Sequence, residues 1–180
     1  MIRALAATLA LSALALAIGP QSADAHGPSR QKVIKSVEIN AAPDKVWKII
    51  GNFQDIGWHP AVEKTEGTGG NESGAKRTIT LKGGGQIHEA LTKYDAAAHS
   101  MSYEITEVDM KVLPVNNYSS TLSVEGEGDK SVLKWKGAFY RGFMNNDPPP
   151  ELNDEAAVKA VTGVYEGGLA AVKKAAEAGG

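Results

Sequence analysis

The four histidines of this 180-residue chain are the first side chains to consider for chemistry, because the unperturbed pKa of imidazole lies near neutrality. They are His26, His59, His88 and His99, and their spacing matches no metal-binding motif. The chain has no cysteine, which excludes thiolate metal sites, thiol nucleophiles, disulfides and attached c-type haem. Nucleophile-elbow and phosphate-loop motifs are also absent. The sequence therefore predicts no metal site and no cofactor.

His59 is the histidine best placed for a chemical role. Trp58 and Pro60 flank it, and a proline disfavours helix at the residue before it, so the three residues predict a corner in the chain. A general base at His59 would also need a carboxylate partner, for which Glu89 and Glu104 are candidates. A packed structural corner is the alternative interpretation.

The other three histidines are weaker candidates for a chemical role. His88 precedes Glu89 in a β-like run, where neighbouring side chains point to opposite faces, so the two cannot serve one pocket. His99 lies beside a predicted turn, and we expect both His88 and His99 to be exposed to solvent. His26 could bind copper together with a new N-terminal amine, but the following Gly-Pro-Ser is typical of a solvated tail.

Residues 1–25 have the three-part pattern of a secretory signal. Arg3 precedes an apolar run over residues 5–18, and Ala23-Asp24-Ala25 offers a small-residue cleavage site. At about 14 residues, the run is shorter than the roughly 20 that a membrane-spanning helix needs. We expect export to the periplasm, a flexible tail over residues 26–31 and one domain over residues 32–177. The net charge of −2, with both signs interspersed, does not indicate nucleic-acid binding.

Hydrophobic periodicity predicts the order of elements in that domain. Residues 32–39 alternate as a strand, and residues 43–52 have helical spacing with a proline in the first turn. Residues 61–140 are typical of five or six short antiparallel strands, with the glycines at 83–85 as a hairpin loop. Residues 152–177 predict one long helix, and its glycines indicate a close approach to the sheet.

This order of elements predicts an α+β fold, in which a curved antiparallel sheet wraps around the C-terminal helix. The inner face of the sheet and the apolar stripe of the helix bury each other. When a curved sheet meets a single helix, we expect the space between them to stay partly empty. That space would be a ligand cavity.

Several segments of the chain resemble the START and Bet v 1-like (SRPBCC) superfamily, in particular its bacterial polyketide cyclase and dehydrase members. The segments are Ala42-Pro43-x-x-Val46-Trp47 with Phe53, Trp58-His59-Pro60, Leu113-Pro114-Val115-x-Asn117-Tyr118, and Tyr165-x-x-Gly168-Leu169-x-x-Val172-Lys173. The resemblance covers nearly all of residues 32–177. It implies the helix-grip fold, with two short helices after the first strand.

Within that superfamily the chain is most similar to the MxaD-type periplasmic accessory proteins of bacterial methanol oxidation. This similarity implies a non-catalytic protein that assists electron transfer between a methanol dehydrogenase and its c-type cytochrome. Two other functions remain open. One is a carrier of a lipophilic small molecule in the sheet–helix cavity, and the other is a cyclase or dehydratase that uses His59 with a carboxylate.

Two groups of residues are candidates for contact with a ligand or a partner. The cavity candidates are Trp58, His59, Tyr103, Leu113, Tyr118, Trp135 and Tyr165. The partner-contact candidates are Phe139, Tyr140, Arg141, Phe143, Met144 and Asn145. Aromatic residues, Met and Arg are enriched in interface cores, and three prolines that follow at 148–150 favour a stiff loop. In an alternative interpretation, the two phenylalanines belong to the core.

Overall fold

The computed structural model of the protein describes residues 27–178. The expected secretory signal and His26 lie outside the described residues. Across residues 27–178, no helix is both long enough and apolar enough to cross a membrane.

The fold begins with a strand and a short helix, continues through six strands and ends in a long helix. The elements are β1 (Gln31–Ile39), α1 (Pro43–Ile50), β2 (Val62–Thr68), β3 (Lys76–Leu81), β4 (Gln86–Asp95), β5 (Ser100–Val108), β6 (Val115–Glu127), β7 (Lys130–Arg141) and α2 (Asp154–Glu177). A single 3-10 turn, Pro150–Leu152, precedes α2. Asn153 caps α2 because its side chain accepts a hydrogen bond from the Ala156 N–H.

The seven strands form one antiparallel sheet in the order β1-β7-β6-β5-β4-β3-β2, so β1 and β2 are its edges. Alternate residues of β6 and β7 point inward, and α2 packs its apolar stripe against them. The buried residues of that stripe are Ala157, Val161, Tyr165, Gly168, Leu169, Val172 and Ala176. The predicted α+β helix-grip fold is thereby confirmed.

One element of the prediction is wrong: a single short helix follows β1 where two were expected. The helix α1 ends at Ile50, and the chain continues in turns up to β2. The side chains of Asn52 and Asp55 each accept a hydrogen bond from the backbone N–H two residues later. These local bonds compete with helical hydrogen bonds, which explains the loss of the second helix.

The expected solvent exposure of His88 and His99 is also wrong, because both side chains are half-buried. The Nδ1 atom of His88 lies 3.0 Å from the Thr78 hydroxyl. The Nε2 atom of His99 lies 2.9 Å from an Asp44 carboxylate oxygen, and its ring packs 5.6 Å from the Trp47 ring. These partners come from other elements, so the local sequence around each histidine gives no sign of them.

Candidate functional site

The space between the sheet and α2 is occupied by packed aromatic rings. Trp135 on β7 and Tyr165 on α2 stack with their ring centroids 4.5 Å apart and their planes 10° from parallel. Trp58, from the corner after α1, places its ring 5.9 Å from that of Trp135. These three large side chains fill the part of the interior where the sequence predicted open space.

A network of hydrogen bonds links the polar ends of these rings. The Ser120 hydroxyl donates its one proton to the Lys136 carbonyl at 3.0 Å, so it must act as acceptor toward Trp135 Nε1 at 2.9 Å and the Tyr165 hydroxyl at 3.1 Å. Tyr165 therefore donates to Ser120 and accepts from the Tyr118 hydroxyl at 2.7 Å. The direction of each hydrogen bond in the network thus follows from the single proton of the Ser120 hydroxyl.

The tyrosines of the network remain neutral over the physiological pH range. Burial raises the pKa of Tyr165 to about 12 and also raises the pKa values of Tyr103 and Tyr118 well above their usual value. Tyr103 shares the single Nε1–H of Trp135 with Ser120, and its hydroxyl accepts at 2.9 Å. These phenols therefore act as hydrogen-bonding groups and as packed side chains. They do not ionise to phenolates that could serve as a base.

Both ring nitrogens of His59 are bonded to backbone groups. Its Nε2–H donates to the Val164 carbonyl of α2 at 2.9 Å, and its Nδ1 accepts from the Ala61 N–H at 3.2 Å. These partners select the neutral Nε2–H tautomer, and burial lowers the pKa of the imidazole. The geometry of His59 is that of a structural corner, which joins the turn before β2 to the middle of α2.

Gly168 makes room for this corner. A Cβ atom at Gly168 would lie 2.7 Å from both His59 Cδ2 and Trp135 Cζ3. The helix therefore approaches the sheet more closely here than any side chain would allow, as the glycines of the sequence indicated. Gly163 has no atom near its hypothetical Cβ, so the same explanation does not apply there.

Arg77 on β3 and Glu89 on β4 form a buried ion pair that the sequence reasoning missed. Two guanidinium nitrogens of Arg77 lie 2.6 Å from the same Glu89 oxygen, Oε2, and a third donates to the Phe53 carbonyl at 2.8 Å. Burial raises the pKa of Glu89, and the charge of Arg77 opposes that rise. The alternation of β3 and β4 offered a clue, since both charged residues occupy inward positions next to Ile79 and Leu91.

A small apolar cavity remains between α2 and strands β2 to β5, with a volume of about 80 Å³. Aliphatic side chains form most of its wall, and Glu89 also lines it. Of the sequence candidates, His59, Tyr103, Leu113, Tyr118 and Trp135 line it, whereas Trp58 and Tyr165 do not. Ligand pockets usually measure roughly 300–1,000 Å³, so the cavity is well below that size.

Residues of the loop between β5 and β6 close one side of this cavity. Val112 packs directly on Gly85 of the β3–β4 hairpin, at a position that a Cβ atom on Gly85 would occupy. Gly85 also has a φ of +84°, which side chains rarely adopt. Glycine at position 85 thus allows both the backbone conformation of the hairpin and the contact with Val112 that closes the cavity.

The partner-contact candidates divide into core and surface residues. Phe139 is 0% exposed and packs 6.1 Å from the Tyr118 ring, so its assignment to a contact surface is wrong in this structure. Phe143 and Tyr140 are half-buried, and Met144 and Asn145 are exposed. The surface part of the segment is therefore its C-terminal half.

Arg141 is buried and organises that half of the segment. Its guanidinium donates to the Phe143 carbonyl at 2.8 Å, the Asn145 carbonyl at 3.0 Å and an Asp154 carboxylate oxygen at 3.1 Å. The loop is thus bonded to the end of β7 and to the start of α2. Arg141 acts here as a positioning residue beneath the surface.

Solved structures of two bacterial proteins are similar to the chain. XoxI from Bacillus cereus is 31% identical over 80% of this chain and 94% of its own, with a TM-score of 0.67. An uncharacterised protein from Bacillus thuringiensis is 30% identical over 81% of this chain and 98% of its own, also with a TM-score of 0.67. No curated protein is significantly similar in sequence.

Norcoclaurine synthase from Thalictrum flavum shares the fold, with 18% identity, a TM-score of 0.61 and coverage of 92% of this chain and 98% of its own. At that identity the likeness concerns architecture alone. The profile of the family described as polyketide cyclase / dehydrase and lipid transport matches residues 30–177. The chain therefore belongs to this family, within the START and Bet v 1-like superfamily.

Proposed function

We propose that this protein is a non-catalytic accessory protein of the periplasm, which binds a methanol dehydrogenase and its c-type cytochrome and assists electron transfer between them. The observation that carries the proposal is the filled interior, in which Trp135 and Tyr165 stack between the sheet and α2. The remaining cavity of about 80 Å³ is too small for a typical organic substrate. We infer from this small internal space that the protein acts through its surface.

The polar groups at the cavity support the same proposal. His59 has no free nitrogen for proton transfer, since backbone groups engage both. Glu89 is held by Arg77. General acid–base catalysis needs a group within hydrogen-bond reach of the substrate and free to exchange a proton. Neither residue meets that requirement in this arrangement.

In this proposal, the loop at residues 143–147 forms the surface that contacts the partners. Arg141 fixes the backbone of this loop by hydrogen bonds to two of its carbonyls, and Met144 is 40% exposed on it. A loop that is already ordered loses less conformational entropy when it binds a partner. The identity of the two redox partners rests on the resemblance of the sequence to MxaD-type proteins, as does export to the periplasm.

The test is the rate of methanol-dependent cytochrome reduction by the purified dehydrogenase and cytochrome of the same organism, with and without this protein purified from the periplasm. We expect stimulation by the wild type and its loss in Met144→Ser/Asn145→Ala. The control is Glu63→Ala/Lys64→Ala on β2, at the opposite edge of the sheet, which also leaves the net charge unchanged. No stimulation by the wild type, or equal loss in both variants, would refute the proposal.

A small-molecule carrier is the second candidate, and the apolar wall of the cavity favours it. Val112 contacts Gly85 across the rim, and a rearrangement of this loop would enlarge the space. Native mass spectrometry of the protein as purified tests this function, since a carrier retains a bound lipophile. The cyclase or dehydratase alternative has no comparable support. Its general base would be His59, and both ring nitrogens of His59 are hydrogen-bonded to backbone groups.

A further inference from the structure

The outer face of β1 and β7, on the side of the sheet away from α2, carries an exposed apolar side chain between lysines. Ile34 is 63% exposed and lies directly opposite Lys136 in the β1–β7 register. Lys32 precedes Ile34 by two residues on the same face and lies opposite Ala138. An isoleucine this exposed in the centre of a strand is not explained by the packing of the domain.

Beside these residues the sheet surface is hollow, because the neighbouring outward positions hold small side chains. Lys136 lies opposite Thr121, and Thr121 lies opposite Ser102, whose hydroxyl is 2.8 Å from that of Thr121. Ser119 occupies the adjacent row, opposite Ala138. Together they form a depression of about 430 Å³ with hydroxyl groups in its floor and Lys32, Ile34 and Lys136 along its rim.

The charged residues that line this depression are both basic, Lys32 and Lys136. Lys32 and Lys136 form no salt bridge with any residue in the described range 27–178, and no carboxylate lines the depression. Arg30 adds a third positive charge, since its guanidinium donates to the Ser119 hydroxyl at 3.2 Å. Glu38 on β1 and Glu104 on β5, the latter opposite Ser119, place carboxylates at other outward positions of the sheet, so the basic character is local to the depression.

We infer that the outer face of β1 and β7 is a docking surface for a protein partner that presents carboxylates around a protruding side chain. The lysines would pair with the carboxylates, Ile34 would be covered, and the protruding side chain would enter the hydroxyl-lined depression. A membrane fits less well, because anionic bilayers are bound by clusters of about 4–8 basic residues and present no protruding group.

This surface is continuous with the loop at residues 143–147. Lys136, Ala138 and Tyr140 are successive outward positions of β7, and Arg141 at the end of the strand holds the loop. The inference rests on the proposed function for the partner's identity: the acidic surface belongs to the dehydrogenase or to the cytochrome. One contiguous area would then run from Lys32 to Met144.

The test measures association rates of the protein with the dehydrogenase and, separately, the cytochrome at low and high salt. In Lys32→Glu/Lys136→Glu we expect the association rate with one partner to fall about tenfold at low salt and to lose most of its salt dependence. The control is Lys48→Glu/Lys159→Glu, which makes the same change in net charge on the exposed sides of α1 and α2. Ile34→Ser should increase the dissociation rate and leave the association rate nearly unchanged.

The outcomes separate this inference from the proposed function. If the wild type stimulates cytochrome reduction and the two charge-reversal variants behave alike, the docking surface is wrong and the accessory function stands. If the wild type neither binds nor stimulates, both fail. Binding to vesicles of phosphatidylglycerol that depends on Lys32 and Lys136, without binding to either protein, would also overturn the inference.

Discussion

The indole of Trp135 and the phenol ring of Tyr165 stack at 4.5 Å, and this contact joins β7 to the middle of α2. Aromatic pairs of this kind stabilise a fold by about 0.5–1.5 kcal/mol beyond their buried area. The pair also brings the Tyr165 hydroxyl to Ser120 and Tyr118. One contact thus holds the helix against the sheet, excludes a large ligand and completes the buried hydrogen-bond network.

Replacing Tyr165 by Phe should keep the stack and remove only the hydroxyl. The Tyr118 hydroxyl then loses its acceptor in a buried position, so we expect the free energy of unfolding to fall by about 1–3 kcal/mol. Tyr140→Phe is the control, since Tyr140 is half-buried on the outer face and its hydroxyl makes no hydrogen bond with another residue of the range 27–178. Urea unfolding of both variants measures the difference, and equal losses would contradict the network.

Gly168→Ala should destabilise the protein, although alanine is the better helix former. The added Cβ would lie 2.7 Å from atoms of His59 and Trp135, and neither ring can move without breaking its own contacts. Gly163→Ala, five residues earlier in the same helix, meets no atom within 4 Å and should stabilise by about 0.5–1 kcal/mol. Thermal unfolding that shifts both variants in the same direction would show that Gly168 is not a packing glycine.

The sequence sufficed for most of the fold, because strands buried on one face and a helix with an apolar stripe leave a periodic pattern. It also placed Tyr118, Tyr165 and Trp135 at inward positions. It did not show that the two rings stack, since that depends on the curvature of the sheet and on the distance between β7 and α2. The interior was therefore predicted to be emptier than it is.

Contacts between distant segments explain the other errors. The Val164 carbonyl, which binds His59, lies 105 residues further along the chain. Arg77 and Glu89 are 12 residues apart, and only the β3–β4 register makes them partners. A charged residue at an inward strand position is the local signal of such a pair.

Acid should lower the stability of the folded protein through the protonation of His59. Burial lowers the pKa of His59 in the folded state below the usual value of 6.5, so the unfolded chain binds a proton first as the pH falls. The free energy of unfolding should therefore decrease below about pH 6.5, by at most about 1.4 kcal/mol per pH unit. Above pH 7.5 this contribution should be constant.

The comparison of wild type with His59→Gln isolates this effect. The raised pKa of Glu89 acts in the opposite direction, because its contribution to stability is lost as the pH rises above about 4.5. Glu89 is present in both proteins, so its contribution cancels in the difference. Urea unfolding between pH 5.5 and 7.5 should give a steeper pH dependence for the wild type; parallel curves would mean that His59 does not titrate differently in the two states.

Removing one partner of the Arg77–Glu89 ion pair should lower the free energy of unfolding more than replacing both partners with apolar residues. Arg77→Met leaves a buried carboxylate without its cation, and we expect a loss of about 3–5 kcal/mol. Arg77→Met/Glu89→Leu removes both charges and should recover much of that loss, since an apolar pair needs no compensation. A double variant less stable than Arg77→Met, measured by chemical denaturation, would show that Glu89 has other partners that hold it.

Arg141→Gln should release the loop at residues 143–147 and leave the core in place. The guanidinium makes three bonds, to the carbonyls of Phe143 and Asn145 and to Asp154, and an amide cannot reach all three. We expect faster hydrogen exchange of the amides in the loop and weaker stimulation of cytochrome reduction, with exchange in β6 unchanged. Lys134→Gln is the matched control on the same strand, because its contact with Glu125 is long, at 3.8 Å, and solvent-exposed. If Arg141→Gln loosens the loop without any effect on stimulation, the loop is not the surface through which the protein acts.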